Sequence, residues 1–412
     1  ANLRDRGHML AFLAEREGRV IDTFLQPPPD NTVPRFDYEA HLQALTAPEP
    51  RWPESTRTVS QLRLSFRLRR AGRFASLWGP RTVHLDICDY PGEWLLDLTL
   101  LNKTFDDWSA EVLSRIDQRP AGERYRAVLA ETDASAKFDE GHAKLLSEAF
   151  ARYLHATREA GYSDCIPGRI LLPADLEGSP VVTFAPLRDK SGGRKSLRRE
   201  FERRFEAYKA EVVKPFFRNH FAKIDCQVVL VDALGAMQKS PAAVEELRRT
   251  MTEILSAFRP GGNAFLRRIL RGRRVERILF AATKADHVHH TRHPRLTSIV
   301  EELARSARER ASFFGARTEA LAIAAARATT EVSCVHEGEE LDMVSGTLET
   351  GERVNYHFNP LPEGLSQLLD PAREETFETR QFSPAKTQLK PGHGLPHIRL
   401  DQAFQFLIGH QL

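Results

Sequence analysis

The sequence lacks the features that mark membrane-spanning, disulfide-rich and polyanion-binding proteins. No apolar run approaches about 18 residues, so no segment is expected to span a membrane. The four cysteines are scattered and form no C-x-x-C pair, which suits a reducing cytosol. The 59 lysines and arginines nearly balance the 56 aspartates and glutamates, and the net charge of +3 gives no reason to expect nucleic acid as a partner. What is left is the profile of an ordinary globular protein, and its 412 residues are enough for several domains.

Strand and helix signals alternate along the chain. Alternating apolar and polar residues predict half-buried strands over 62–68 and 82–88, either as a hairpin or as neighbours. Three short continuous apolar runs, over 227–232, 277–282 and 320–325, predict strands with helices between them, and the first reads as buried on both faces. This order is typical of a doubly wound parallel α/β sheet.

The remaining segments are expected to be mostly helical. The chain opens on a predicted helix over 1–18, and Ser196 is a predicted N-cap of a later one. Helices are also predicted after Ser240 and over 294–313, because Pro241 follows a capping serine and apolar residues recur at helical spacing. The tail is predicted to contain short strands and turns, and to end in an amphipathic helix near 400–409.

A carboxylate and a glycine follow the strand predicted over 82–88. Asp89-Tyr90-Pro91-Gly92 spells D-x-x-G, the turn in which P-loop GTPases use the aspartate to hold a magnesium-bound water. The glycine lets the backbone amide approach a γ-phosphate without a Cβ in the way. A tight turn with no ligand is the alternative interpretation.

A second motif follows the strand predicted over 277–282. Thr283-Lys284-Ala285-Asp286 matches the [NT]KxD pattern of guanine recognition. The aspartate can accept hydrogen bonds from both N1–H and the exocyclic amine of guanine, a donor pair that adenine lacks. The lysine stem would cover one face of the base. The alternative is an ordinary charged loop.

Thr56 lies in a loop before the strand predicted over 62–68. Its hydroxyl is a candidate magnesium ligand beside a γ-phosphate, although Thr58 competes for this role. Arg57 is a candidate for neutralising phosphate charge, and the alternative is a turn threonine with no ligand. The order of the threonine loop, the D-x-x-G strand and the strand before Thr283 favours a GTPase.

Several long blocks resemble the bacterial YcjX family of stress-associated P-loop GTPases, and the similarity extends over essentially the whole chain. The blocks are residues 33–38, 89–97, 214–217, 229–234, 280–287 and 395–401.

The resemblance implies a Ras-like P-loop NTPase sheet with an inserted helical domain and a small β-rich C-terminal extension. The domains expected are a first GTPase part over 1–104, a helical insertion over 105–222, a second GTPase part over 223–335 and the extension over 336–412. It also implies GTP or GDP and Mg²⁺ as ligands and slow GTP hydrolysis as a stress-linked switch. A cytoplasmic protein is expected, peripheral at the inner membrane through a membrane-protein partner of the YcjF type.

The resemblance also assigns roles to individual residues. Thr56 and Asp89 inherit the magnesium role, Gly92 the γ-phosphate contact, and Thr283, Lys284 and Asp286 the base contacts. Ala325 and Ala326 fall in the last base-contacting loop. Glu93 stands where Ras-like enzymes carry a water-positioning glutamine, and a salt-bridged turn residue is an even alternative.

One element of the family is missing. No G-x-x-x-x-G-K-[ST] occurs in the 412 residues, and Ser191–Ser196 is expected to be a loop followed by an N-cap. We expect the strand and phosphate loop to lie upstream of Ala1. Without that loop, this chain is expected to bind nucleotide weakly and to hydrolyse it poorly or not at all. The alternative function is a non-catalytic interaction module that docks a stress or membrane partner through its helical insertion.

Three further features carry weaker signals. His287, His289, His290 and His293 crowd one loop, where solvated side chains are favoured over a metal site. The basic segment 267–277 is favoured as a solvated helix end over a membrane-binding surface. Asp232, which ends an apolar strand, is a rival magnesium carboxylate ranked below Asp89 on the expectation that no x-x-Gly follows it.

Overall fold

The chain folds as two compact units. The computed structural model describes residues 1–5, 9–70, 79–162, 164–189, 191–220, 223–256, 275–336, 338–370, 377–389 and 392–412. The first unit, here the sheet unit, comprises Ala1–Tyr90, Asp225–Val244 and Val275–Leu412, and the second, the helical unit, comprises Pro91–Ile224 and Glu245–Arg274.

An antiparallel sheet opens the sheet unit. Strands β1 (Val20–Gln26), β2 (Ser60–Leu68) and β3 (Arg81–Asp89) lie in that order, and Ser60 pairs with Asp89. The two strands predicted from alternation are therefore confirmed as antiparallel neighbours. β1 was not predicted, because an irregularity in its pairing between Val20 and Asp22 interrupts the alternation that would reveal it.

A parallel sheet follows the antiparallel sheet in the sequence of the unit, and the predicted base-recognition motif, Thr283–Asp286, follows its middle strand. Strands β4 (Cys226–Val231), β5 (Arg277–Ala282) and β6 (Arg317–Ala322) pair in that order, which confirms the predicted parallel arrangement. β5 is central and almost fully buried. The expectation that β4 is buried on both faces is wrong: Leu230 is 67% exposed, because β4 pairs only with β5 among the described residues.

A third sheet and several helices complete the sheet unit. β7 (Thr329–His336), β8 (Glu339–Thr347) and β9 (Arg353–Tyr356) form an antiparallel sheet, as expected of a tail of short strands. The helices are Asn2–Asp5, Leu13–Arg16, Tyr38–Thr46, Ala233–Lys239, His293–Leu303, Arg305–Phe313, Leu365–Leu368 and Leu400–Ile408, with 3-10 turns at Ala285–His287 and His290–Arg292. Helix Pro241–Ser256 begins in the sheet unit and continues in the helical unit.

The two ends of the chain test two helix predictions. A single helix over 1–18 is wrong, because Phe12 adopts an extended conformation and packs its buried ring into the core of the first sheet. The predicted terminal helix is confirmed as Leu400–Ile408, and Ala403 and Leu407 on its buried face pack against the parallel sheet.

The helical unit contains no strand among its described residues, and the expected insertion over 105–222 stays a prediction. Its α-helices are Glu93–Leu96, Phe105–Arg115, Gly122–Ala130, Glu140–Glu159, Gly168–Leu171, Leu197–Ala207 and Lys214–Asn219, with a π-helical turn at Tyr208–Val213 and 3-10 turns at Asp97–Asn102, Ile116–Gln118, Ala174–Leu176 and Pro180–Val182. Ser196 caps Leu197–Ala207 by accepting a hydrogen bond from the amide of Arg199, which confirms the predicted cap.

Aromatic packing and one ion cluster stabilise the helical unit. Trp108 is fully buried and stacks on Phe205 with ring centroids 5.2 Å apart. Arg119 lies 2.9 Å from Asp164 and 2.5 Å from Glu246, and all three side chains are nearly buried. We call these three residues the Arg119 cluster. None of the helices in the described part of the chain has the length and apolar character that a bilayer span requires.

Candidate functional site

The loop after β5 is tied to the ends of both neighbouring strands. The amide of Thr283 donates to the carbonyl of Val231 at 3.0 Å, and the amide of Ala285 donates to the carbonyl of Ile323 at 3.1 Å. The predicted base-recognition residues therefore lie at the carboxyl edge of the parallel sheet, where open α/β sheets bind ligands.

Asp286 is the most constrained residue of this loop. It is 4% exposed, and its Oδ2 accepts a hydrogen bond of 2.7 Å from the amide of Ala328. Its own carbonyl accepts a second bond from the hydroxyl of Thr329. These two bonds fix the carboxylate against the loop that follows β6.

The loop after β6 contains Ala325 and Ala326. Ala325 is exposed and Ala326 half-buried, and the backbone on either side is anchored: Ala324 bridges to Ile398, and the amide of Arg327 donates to the carbonyl of Pro396 at 2.9 Å. The structure thus brings the loop that contains Ala325 and Ala326 to Asp286, through the bond from Ala328. The supporting segment 396–398 was not assigned a role, because nothing local in the sequence reveals its partner across about 70 residues.

Lys284 has a left-handed backbone conformation, with φ of 59°, and its Nζ lies 2.8 Å from Asp232 Oδ2. Asp232 also caps helix Ala233–Lys239 by accepting a bond of 3.0 Å from the amide of Gly235. The expectation that no x-x-Gly follows Asp232 is wrong, because Gly235 stands at the third position after it, so spacing does not separate this aspartate from Asp89. Its contacts do separate them, because its carboxylate is already engaged by a lysine and a helix N-terminus.

Thr56 and Asp89 are in direct contact. The Thr56 hydroxyl donates to Asp89 Oδ2 at 2.6 Å, and both residues are half-buried. Thr58 is exposed, and Arg57 makes an exposed ion pair of 3.4 Å with Glu54. Two hard oxygen donors therefore meet at the end of β3, a combination that suits Mg²⁺. The hydrogen bonds and ion pairs of the described residues do not join this pair to the loop after β5.

The division between the two units falls inside the D-x-x-G motif, after Tyr90. Gly92 is exposed and precedes the first turn of helix Glu93–Leu96, and Glu93 pairs with Arg158 of the same unit at 2.6 Å. Glu93 is thus a salt-bridged turn residue in this structure, the second of the two interpretations open from the sequence.

The histidine loop is not solvated as expected. His287, His289 and His293 are buried, and only His290 is exposed. Burial lowers the pKa of His287 and of His293. His293 uses both ring nitrogens: Nε2 lies 2.7 Å from the carbonyl of Ala285, and Nδ1 lies 3.0 Å from the guanidinium of Arg399. Its role is to hold the loop after β5, so it has no nitrogen left for a metal.

Two other expectations concern loops. Ser196 caps a helix, so Ser191–Ser196 is a loop and an N-cap, as expected. Residues 267–274 of the basic segment lie outside the described residues, and Arg277 opens β5. The membrane surface, the membrane-protein partner and the peripheral location stay predictions.

Comparison with known proteins places the chain in a family. The model of the YcjX-like family, DUF463, matches residues 1–412. A protein of Shewanella oneidensis named Ras-like GTPase YcjX is 33% identical over 96% of this chain and 85% of its own length. A protein of the same name from Escherichia coli is 32% identical over 100% of this chain and 90% of its own length. A match over the full chain, with relatives aligned almost end to end, shows that this chain belongs to the YcjX-like family.

Proposed function

We propose that this chain recognises the guanine base of GTP and GDP through Asp286, as part of a Ras-like, Mg²⁺-dependent GTPase that acts as a slow, stress-linked switch. The relatives named Ras-like GTPase supply the class of activity. The observation that carries base recognition is the hydrogen bond of 2.7 Å that holds Asp286 against the loop of Ala325 and Ala326.

Selectivity follows from the chemistry of the carboxylate. A carboxylate accepts two N–H groups side by side, which matches guanine and not adenine. A pre-positioned acceptor loses little entropy on binding, so the bond to Ala328 favours recognition. In the proposed complex, Thr283 and Lys284 shape the rim of the base pocket, and the backbone at Ala325 and Ala326 faces the base edge.

The residues around Asp89 fit the Mg²⁺ ion that binds together with GTP or GDP. We propose that Asp89 and Thr56 hold Mg²⁺ directly or through its water, since both offer hard oxygen atoms and already lie 2.6 Å apart. When bound, Mg²⁺ neutralises phosphate charge. Gly92 is the proposed amide donor to the γ-phosphate. Glu93 is the proposed group that orients water, a role that requires it to leave Arg158.

The 412 residues contain no phosphate-loop motif, so we propose that their affinity for nucleotide is low and their hydrolysis slow or absent. The quantity to measure is therefore the ratio of the affinities for GDP and ADP. The two nucleotides carry the same diphosphate, so weak binding of the phosphates lowers both affinities equally and cancels in the ratio.

The test compares fluorescent GDP, ADP and xanthosine diphosphate on the wild type and on Asp286→Asn. We expect the wild type to prefer GDP over ADP at least tenfold. Asp286→Asn retains an acceptor for the amide of Ala328 but offers the base an amino group. The GDP preference should fall about 10- to 100-fold, since a charged hydrogen bond contributes about 1.5–3 kcal/mol. Binding of xanthosine diphosphate should rise, because its 2-oxo group accepts from an amide.

Asp86→Asn is the matched control, since Asp86 is exposed and pairs with Arg63 on the neighbouring strand. It should leave all three affinities unchanged, and thermal unfolding should confirm that both variants fold. Equal affinity of the wild type for GDP and ADP, or an unchanged preference in Asp286→Asn, would refute guanine recognition by this loop.

A further inference from the structure

We propose that His289, His290 and Glu331 form a binding site for a divalent transition-metal ion of the Zn²⁺ class. One ligand atom from each of the three residues lies within 4.8 Å of the other two. His290 Nδ1 is 2.9 Å and His289 Nε2 is 4.0 Å from Glu331 Oε2. Ligand atoms of a tetrahedral zinc site lie about 3.4 Å apart, given bonds of about 2.1 Å. The observed separations bracket this value, so small side-chain movements would close the site.

His289 is already oriented as a metal ligand. Its ring is nearly buried, and its Nδ1 lies 3.3 Å from Asp342 Oδ2 and 3.0 Å from Thr291 Oγ1. Thr291 donates its own hydroxyl to Asp342, so the hydrogen-bond network assigns the Nδ1 proton to His289. The lone pair then lies on Nε2, which faces Glu331. A carboxylate that fixes the far nitrogen of a liganding histidine is a common arrangement in metal sites.

Glu331 is held in a way that leaves one oxygen for an ion. Its Oε1 accepts from the amide of His290 at 3.1 Å and lies 4.0 Å from the guanidinium of Arg327. Its Oε2 faces both imidazoles. The ring N–H at Nδ1 of His290 donates a hydrogen bond to this oxygen at 2.9 Å. A bound ion would take the place of that proton.

The donor set selects the class of ion. Two imidazole nitrogens and one carboxylate oxygen suit Zn²⁺ and similar borderline ions, whereas Mg²⁺ and Ca²⁺ prefer sites made of oxygen alone. Three protein ligands leave a fourth position for water.

The location gives the site a structural consequence. His289 follows Asp286 by three residues, and Glu331 follows Ala328 by three residues. Asp286 and Ala328 are already joined by a hydrogen bond of 2.7 Å. A bound ion would add a second link between the same two segments and would stabilise the loop after β5.

The experiment uses the full chain, freed of any polyhistidine tag. Zinc binding is measured by competition with a chromophoric chelator, and Co²⁺ serves as a spectroscopic probe of ligand number. We expect one ion per chain, a tetrahedral Co²⁺ spectrum and a higher melting temperature with zinc. His290→Gln and Glu331→Gln should each weaken zinc binding at least tenfold. Asp342→Asn leaves the three proposed ligands in place and changes the carboxylate that holds His289 and Thr291; it should weaken zinc binding about 10- to 100-fold.

His155→Gln is the matched control, because His155 is exposed on helix Glu140–Glu159 of the other unit. It should bind zinc like the wild type. The absence of stoichiometric zinc binding would overturn the proposal and leave an internal ion-pair network. Equal losses in His155→Gln and His290→Gln would also overturn it, because binding would then be non-specific. None of these measurements depends on nucleotide, so they stand apart from the test of guanine recognition.

Discussion

A buried carboxylate makes the stability of the helical unit depend on pH. Asp97 is 2% exposed; the hydroxyl of Tyr208 donates to its Oδ2 at 2.5 Å and the amide of Gly168 donates to its Oδ1 at 2.7 Å. Burial raises the pKa of Asp97 from 3.8 to about 7, although these hydrogen bonds and the nearby Arg169 act in the opposite direction. We therefore predict that Asp97→Asn, which resembles the neutral acid in shape, removes this pH dependence.

The magnitude follows from linkage. The folded state holds the Asp97 proton more tightly than the unfolded state, so stability from this group is complete below about pH 4 and is lost as the pH rises to about 7. A difference of roughly 3 pKa units corresponds to about 4 kcal/mol. Asp97→Asn should therefore match the wild type near pH 4 and exceed its free energy of unfolding by up to about 4 kcal/mol near pH 8.

Urea unfolding between pH 4.5 and 8, followed by tryptophan fluorescence, provides the measurement, since Trp94 and Trp108 are both buried in this unit. Asp117→Asn is the control, because the Asp117 side chain is 64% exposed in its pair with Arg126. It should show no such trend. A difference between Asp97→Asn and the wild type that does not change with pH would refute the reasoning.

Two other substitutions test the contacts of each unit. Arg119→Met should lower the free energy of unfolding in urea by up to about 3–5 kcal/mol, because it removes the guanidinium that pairs with the nearly buried Glu246. Asp164 keeps its ion pairs with Arg115 and Arg249, so the loss comes chiefly from Glu246. Arg126→Met at an exposed pair should cost under about 1 kcal/mol, and a similar loss in both variants would contradict this account. Thr56→Val removes the hydroxyl that contacts Asp89. In a magnesium titration of GDP binding, it should raise the Mg²⁺ concentration at half-maximal effect about tenfold. Thr58→Val at the exposed neighbour should not, and equal effects would contradict the role of Thr56.

Local signals in the sequence predicted much of the fold. The alternation over 62–68 and the serine at 196 each depend on neighbours within a few residues, and both predictions are confirmed. The helix expected over 1–18 fails for the opposite reason. Phe12 leaves the helical conformation to enter a core built with residues such as Phe66, which no local pattern reveals.

The same limit applies to the histidine loop. Four histidines within seven positions favour exposure to solvent, since neutral and charged imidazoles are both well hydrated. The structure buries three of them because Arg399 approaches His293, Glu331 and Asp342 approach His289, and the ring of Phe382 packs against His287. Their partners are 40 to more than 100 residues away in sequence. The spacing of histidines alone therefore could not separate the loop support at His293 from the metal-ligand geometry at His289.

The two D-x-x-G segments show why a motif needs its surroundings. Asp89 ends β3, Asp232 directly follows β4, and each precedes a glycine by three residues. The carboxylate of Asp232 pairs with Lys284 and caps a helix, so a metal ion at this position would compete with the lysine. Asp89 meets a hydroxyl instead, which is neutral and can share a cation with it. The two aspartates share the same motif, so the motif does not decide which of them can bind a metal ion. What decides it is whether a cationic side chain already neutralises the carboxylate.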